Sequence, residues 1–172
     1  MLGVLSLSKT AQNMLRTKKC VLNLASQDMT PNVNLLARTT GTDPVPDFKA
    51  AIGYTFVKDK FAHAKLTPQK SDLIEPPRIL ECPVQMEAEV VAWNEMMPDL
   101  PDRKGLMLSF EVKILRTHVL DELRLNGYEN RIDVTKFHPL FMAFSQYYGR
   151  GEMIPLESEL AKVDEESYRA IT

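Results

Sequence analysis

Two long stretches of alternating apolar residues constrain the fold more than any other feature of the sequence. In residues 84–93 and again in residues 106–115, apolar side chains recur at every second position. This period is typical of strands that bury one face, and the turn-rich segment 98–103 separates the two stretches. We therefore predict an antiparallel hairpin. Its core-facing side chains are Val84, Met86, Ala88, Val90, Ala92, Leu106, Leu108, Phe110, Val112 and Ile114.

Shorter segments supply the other predicted elements. The predicted strands are residues 2–7, 20–24 and 140–144. One short helix covers residues 11–16 and is capped by Ser8 or Thr10. A second short helix follows Asp28 or Thr30, either of which can cap it. We expect one domain, mainly β with short helices, over residues 1–152. Residues 153–172 carry apolar side chains at helical spacing among many acids, which predicts an amphipathic terminal helix.

Residues 39–77 contain turn signals and only weak helical segments. A stretch of this length without a strong element is unusual inside a compact domain, and such loops often bind ligands or partners. The sequence leaves two interpretations open: a lid over a ligand, or an arm that contacts a second subunit.

Charge and hydropathy exclude several classes of function. The net charge is −2 and the basic residues are dispersed, so we expect no nucleic-acid partner. No apolar run approaches the roughly 20 residues of a membrane helix, so we expect no membrane partner. Cys20 and Cys82 stand alone in apolar surroundings, which favours free thiols in a reducing compartment and a cytoplasmic location.

The sequence contains none of the common catalytic or metal-binding motifs, so the catalytic residues are left unknown and no metal is expected. The histidines, His63, His118 and His138, have no carboxylate or cysteine at ligand spacing, which favours surface or structural roles. Glu87 and Glu89 share one face of a strand. Paired carboxylates can act as acid and base, but we expect this pair to lie on the solvated side of the hairpin.

The turn Ser8-Lys9-Thr10 is the one local arrangement that indicates a ligand. It lies where a predicted buried strand ends and a helix begins, and helix N-termini present unpaired N–H groups that attract anions. Hydroxyls and a lysine can bind phosphate oxygens. The residues alone leave a second reading open, a plain helix cap beside a solvated lysine.

Matching positions along most of the chain make it similar to the flavin reductase-like domain family. They are Leu2–Leu7, Ser8-Lys9-Thr10, Asn13, Cys20–Leu24, Thr40-Gly41, Pro44–Pro46, Lys49, Gly53, Asp59–Phe61, Leu66-Thr67, Pro76–Ala88, Phe137–Leu140 and Phe144–Gly149. The resemblance implies an antiparallel, Greek-key split β-barrel that forms a homodimer with FMN at the dimer interface. It also implies hydride transfer from NAD(P)H through FMN to an acceptor. By position, Ser8, Lys9 and Thr10 would hold the FMN phosphate and Asn13 would support the loop.

Two departures from the family pattern affect these expectations. Lys9 stands where the family usually has an aspartate, which should favour anion binding. Family members also usually carry an N-terminal hairpin before the strand at residues 2–7, and the sequence predicts a barrel without it. An alternative function follows: a non-catalytic, dimeric FMN-binding or interaction protein with an incomplete flavin site. A heme-binding role is less favoured because no histidine has a distinctive context.

Overall fold

A computed structural model describes residues 1–151 of the chain. The predicted helix in residues 153–172 lies outside the described residues. As the sequence predicts, the fold is mainly β with short helices. The strands are β1 (Leu2–Leu5), β2 (Lys19–Leu24), β3 (Thr39–Thr40), β4 (Thr55–Phe56), β5 (Pro68–Gln69), β6 (Arg78–Ile79), β7 (Val84–Glu95), β8 (Met107–Val119), β9 (Phe141–Ala143) and β10 (Gln146–Tyr148). The α-helices are α1 (Lys9–Thr17), α2 (Thr30–Leu36), α3 (Asp47–Ala50) and α4 (Lys60–Ala64).

The predicted hairpin is confirmed and forms the centre of the main sheet. Three of its predicted core-facing side chains, Ala92, Leu106 and Ile114, are exposed instead. Strands β7 and β8 pair in antiparallel fashion, and the four-stranded sheet has the order β1-β8-β7-β2. The sheet curls into half a barrel, and the register of β7 against β8 shifts at two places, between Glu87 and Ala88 and between Val90 and Ala92. Such bulges increase the local twist of a strand, which helps a sheet to curl.

Helix α1 covers one face of this sheet. Its Ala11 and Met14 pack with Val90, Leu108 and Phe110, and Phe110 is completely buried. Strand β1 ends at Leu5, two residues before the predicted end, because the backbone turns there and Ser8 N donates to Leu5 O at 2.9 Å. Helix α1 begins at Lys9, directly after this turn.

Residues 39–77 contain only short elements, as predicted, and the structure gives them two packing roles. Part of the segment closes a second apolar cluster, in which Ala64 and Leu66 pack with Met29 and Cys82. The end of this segment, together with β6, contacts the first half of β7; we call residues 70–79 the strap.

The strap explains why the prediction for Glu87 is wrong. Glu87 does not face solvent; its side chain is 0% exposed because the strap covers this end of β7. Glu89, farther along the strand, is partly exposed and lies 3.7 Å from Lys113 Nζ. Alternation along a strand shows which residues share a face. It does not show whether a distant segment covers the face that is predicted to be exposed.

The structure also tests the predictions for the cysteines and for the strand in residues 140–144. Both cysteines are free thiols; Cys20 is half-buried and Cys82 is buried, as expected. The predicted strand in residues 140–144 is β9, which forms a small hairpin with β10. Within residues 1–151, no helix has the length and apolar character needed to cross a bilayer.

Candidate functional site

A cleft of about 640 Å³ opens beside the N-terminus of α1. One wall is the start of α1, and the other is the segment of residues 56–61 between β4 and α4. The lining residues are Lys9, Thr10, Asn13, Gly41, Phe56, Val57, Lys58, Asp59, Lys60 and Phe61.

The α1 wall contains three of the four residues predicted to hold a cofactor. Lys9, Thr10 and Asn13 line the cleft together. Ser8 has a different local contact: its Oγ accepts a hydrogen bond of 3.1 Å from Ala11 N and caps the helix. The predicted helix cap at Ser8 is therefore confirmed. Contact of Ser8, Lys9, Thr10 or Asn13 with a phosphate stays a prediction.

Local contacts fix both walls. Asp59 caps α4 by accepting from Ala62 N at 3.0 Å, which sets the direction of the segment that lines the cleft. Gly41 packs against the stem of Lys9, and a Cβ added at Gly41 would lie only 3.2 Å from Lys9 Cγ. A glycine at this position lets the loop approach α1 closely.

The cleft carries an excess of positive charge. Its lining residues include three lysines and one aspartate, and no lining lysine forms an ion pair within residues 1–151. Beside Gly41, the hydroxyl of Thr42 is buried and has no hydrogen-bond partner among the described residues. Phe56 and Phe61 add aromatic surface. These residues fit a ligand that combines an anionic group with an apolar or aromatic part.

A second polar cluster lies between the sheet and the strap, centred on Glu87. The Glu87 carboxylate accepts hydrogen bonds from Asp72 N at 2.8 Å and from Leu73 N at 2.7 Å. His118 Nε2 lies 2.7 Å from the same carboxylate. Burial by itself would raise the pKa of Glu87, but these hydrogen bonds outweigh it and lower the pKa to about 2. Because an ionised carboxylate only accepts, His118 Nε2 is the donor.

Two arginines complete this cluster. Arg116 donates to Asp72 Oδ2 at 2.7 Å, and Arg78 Nε lies 3.8 Å from Glu87. Arg78 also donates to the buried Gln85 at 2.7 Å. The cluster thus joins the strap to β7 and β8 through charged and polar contacts.

The geometry of this cluster corrects the prediction that His118 has no neighbouring carboxylate. The ligand atoms of Asp72, Glu87 and His118 lie within 4.8 Å of one another, which is a spacing that could hold a metal ion. Arg116 and Arg78 already supply positive charge to the two carboxylates. A cation would have to compete with them, so we interpret the cluster as an ion-pair network that holds the strap.

The pKa of Glu87 predicts how this network responds to acid. Because the folded-state pKa is about 2, below the ordinary 4.5, Glu87 stabilises the fold fully above pH 4.5. That contribution should disappear as the pH falls from 4.5 towards 2. Urea unfolding of the wild type and of Glu87→Gln across this range should show a difference that shrinks with acidification. A constant difference would contradict the assignment of a low pKa.

The family is identified by a match over most of the chain. Residues 1–148 match the family described as Flavin reductase like domain. The chain belongs to this family. A curated relative of this flavin reductase-like domain, the uncharacterized protein YdfE of Bacillus subtilis (strain 168), is 35% identical over 153 residues. The match covers 89% of this chain and 70% of YdfE.

Solved structures confirm the fold class of this flavin reductase-like domain as a split barrel. Nitrilotriacetate monooxygenase component B from Bacillus cereus aligns with a TM-score of 0.66 and 21% identity, covering 90% of this chain and 70% of that one. Flavoredoxin of Desulfovibrio vulgaris (Miyazaki F) aligns with a TM-score of 0.68 and 17% identity, covering 92% and 73%. An FMN-binding domain of a flavin reductases-like enzyme from Shewanella baltica OS155 aligns with a TM-score of 0.61 and 10% identity, covering 90% and 73%.

Sequence reasoning found one wall of the cleft in this flavin reductase-like domain and missed the other. Lys9 and Thr10 stand out because a strand ends and a helix begins there, and the family resemblance adds Asn13. The segment of residues 56–61 lacks such a signal, and its approach to α1 depends on long-range packing. The Glu87–His118 contact joins two strands, so only the register of β7 against β8, together with the strap, reveals it.

Proposed function

We propose that this domain binds FMN in the cleft beside α1 and acts as an NAD(P)H-dependent flavin reductase or oxidoreductase. The excess of lysines that line the cleft on both walls is the observation that carries the proposal, because FMN combines a phosphate with an aromatic ring system. Membership of the flavin reductase-like family supports the same ligand.

The chain's own residues would bind and position the cofactor. The Lys9 ammonium and the Thr10 hydroxyl are the phosphate donors, Asn13 supports the loop one turn along α1, and Ser8 holds the helix start in place. Phe56 and Phe61 offer apolar surface to the rest of the ligand. FMN, when bound, supplies the hydride-accepting and hydride-donating chemistry, so the proposal requires no side chain that acts as acid or base.

A homodimer forms part of the proposal. The hairpin of β9 and β10 exposes large apolar side chains, with Met142 68% and Phe144 99% exposed. Clusters of exposed apolar residues are typical of protein–protein contact surfaces. A second copy of the chain is the partner that the family resemblance implies.

The colour of the purified protein and its response to nicotinamide test this function. We expect a yellow protein, or one that quenches added FMN fluorescence at micromolar concentration, and we expect NADH or NADPH to bleach the flavin absorbance without oxygen. Flavin binding without bleaching would favour the alternative, a non-catalytic FMN-binding or interaction protein. If the protein does not quench FMN fluorescence at all, FMN is not its ligand.

A further inference from the structure

A second pocket, of about 580 Å³, lies at the end of β8, and we call it the β8 pocket. Among residues 1–151, it shares no lining residue with the cleft beside α1. The turn that leads into α1 lies at the other end of this strand, where Ser6 N donates to Leu106 O at 3.0 Å. The residues that line the β8 pocket are Thr117, His118, Val119, Asp121, Arg124, Glu129, Asn130, Arg131 and Ile132.

Backbone contacts hold the part of the wall that carries the two arginines. Arg124 and Ile132 form an antiparallel β-bridge, and Leu125 N donates to Arg131 O at 2.9 Å. The guanidinium carbon of Arg131 lies 4.4 Å from the ring centroid of Tyr128, a stacking contact that restrains the side chain. Both arginines therefore belong to a wall that the fold keeps in place.

His118 supplies a hydrogen-bond acceptor to this pocket. Its Nε2 donates to the ionised carboxylate of Glu87 at 2.7 Å, so a neutral His118 ring carries its proton on Nε2 and keeps a lone pair on Nδ1. Asp72 N and Leu73 N fix the carboxylate in turn. Within residues 1–151, Nδ1 has no hydrogen-bond partner. A buried carboxylate thus sets the orientation and tautomer of the ring, and Nδ1 is the nitrogen left for a ligand.

Two arginines and two acids line the β8 pocket, and the acids are exposed. Arg124 lies 3.4 Å from Asp121, and 47% and 94% of the two side chains are exposed. An exposed ion pair of this kind contributes little free energy, so a carboxylate in the pocket can replace Asp121 as the partner of Arg124. Val119 and Ile132 add apolar surface for the body of a ligand.

We propose that the β8 pocket binds a small hydroxy acid, whose carboxylate pairs with Arg124 and Arg131 and whose hydroxyl donates to His118 Nδ1. The planar donors of arginine match a carboxylate, and a neutral imidazole nitrogen accepts from a hydroxyl. The volume of the pocket falls within the range of roughly 300–1,000 Å³ that is usual for small-molecule sites. The site requires no flavin, so it is independent of the function proposed for the cleft.

The test compares 4-hydroxybenzoate with benzoate, which lacks the hydroxyl, by calorimetry. We expect the wild type to bind 4-hydroxybenzoate about threefold to tenfold more tightly than benzoate, the usual contribution of one neutral hydrogen bond. His118→Leu should lose this preference, with the two dissociation constants within about twofold of each other, because no acceptor faces the hydroxyl. His138→Leu is the matched control, since His138 is exposed and does not line the β8 pocket, and it should keep the preference.

The arginine should affect both probes equally. Arg124→Met removes a carboxylate partner that the probes share, so it should weaken both by about fivefold or more while leaving their ratio unchanged. Arg103→Met removes an exposed arginine outside the pocket and should leave both probes within about twofold of wild type.

Two further measurements keep the test decisive if His118→Leu fails to fold. His118→Gln can still donate to Glu87 and accept from the hydroxyl, so it should retain the preference for 4-hydroxybenzoate. In the ¹⁵N NMR spectrum of the wild type, 4-hydroxybenzoate should shift the Nδ1 signal of His118 and benzoate should not. The proposal is overturned if the wild type binds neither probe at millimolar concentration, if His118→Leu keeps the wild-type preference, or if both probes shift Nδ1 equally.

Discussion

Replacing Glu87 by glutamine is expected to lower the free energy of unfolding by about 3–5 kcal/mol, the usual cost of breaking a buried ion pair from one side. The carboxylate accepts from Asp72 N, Leu73 N and His118 Nε2. An amide can still accept through its oxygen, but its NH₂ group would face a donor. The guanidinium of Arg78 would also lose its buried counterion.

Urea unfolding followed by both fluorescence and circular dichroism measures this effect. Glu89→Gln is the matched control, since Glu89 lies two residues along the same strand, with 42% of its side chain exposed beside Lys113. We expect that control to change the free energy of unfolding by less than about 1 kcal/mol, as for other exposed ion pairs. A similarly small change in Glu87→Gln would show that the strap does not depend on this carboxylate.

The second large effect concerns ligand binding. The double substitution Lys9→Glu with Thr10→Ala should weaken FMN binding by about a hundredfold or more, since it removes the two proposed phosphate donors and adds a repelling charge. Riboflavin, which has no phosphate, should lose less than about threefold, because only uncharged contacts remain. Fluorescence quenching of both flavins by the wild type and the variant measures the ratio directly.

Lys104→Glu provides the control for overall charge. Lys104 is exposed in the turn between β7 and β8, and its replacement makes the same change in charge outside the residues that line the cleft. It should leave both flavins within twofold of wild type. Equal weakening of FMN and riboflavin by the double variant would mean that the start of α1 does not hold a phosphate.

The features that the sequence predicts well are those that local pattern determines. Around Phe110, apolar residues alternate with polar ones, which indicates a strand with one buried face. Ser8 stands directly before a helical segment, the position that a helix-capping residue occupies. Lys9 and Thr10 follow from that helix start and Asn13 from the family resemblance, and all three line one cleft.

The features that the sequence could not reveal depend on distant segments. Glu87 has the pattern of an outward residue until the strap is placed over it. Lys60 has no distinguishing signal in the sequence, and its half-buried position in the cleft, where it donates to Thr39 O, depends on distant segments. The burial of such side chains can be seen only in the tertiary structure, because neither residue spacing nor helix and strand propensity indicates which distant segment will cover them.

The pairing of β1 with β8 has a consequence for how this polypeptide reaches its native state. Leu2 lies opposite Phe110, so the first strand waits for a partner that is synthesised more than a hundred residues later. Until β8 leaves the ribosome, the apolar face of α1 has no Phe110 or Leu108 to cover it. Pairing over such a sequence distance slows folding and lengthens the time for which nascent chains expose apolar surface. During synthesis, the segment of β1 and α1 therefore exposes an apolar face that a chaperone can protect until β8 is available.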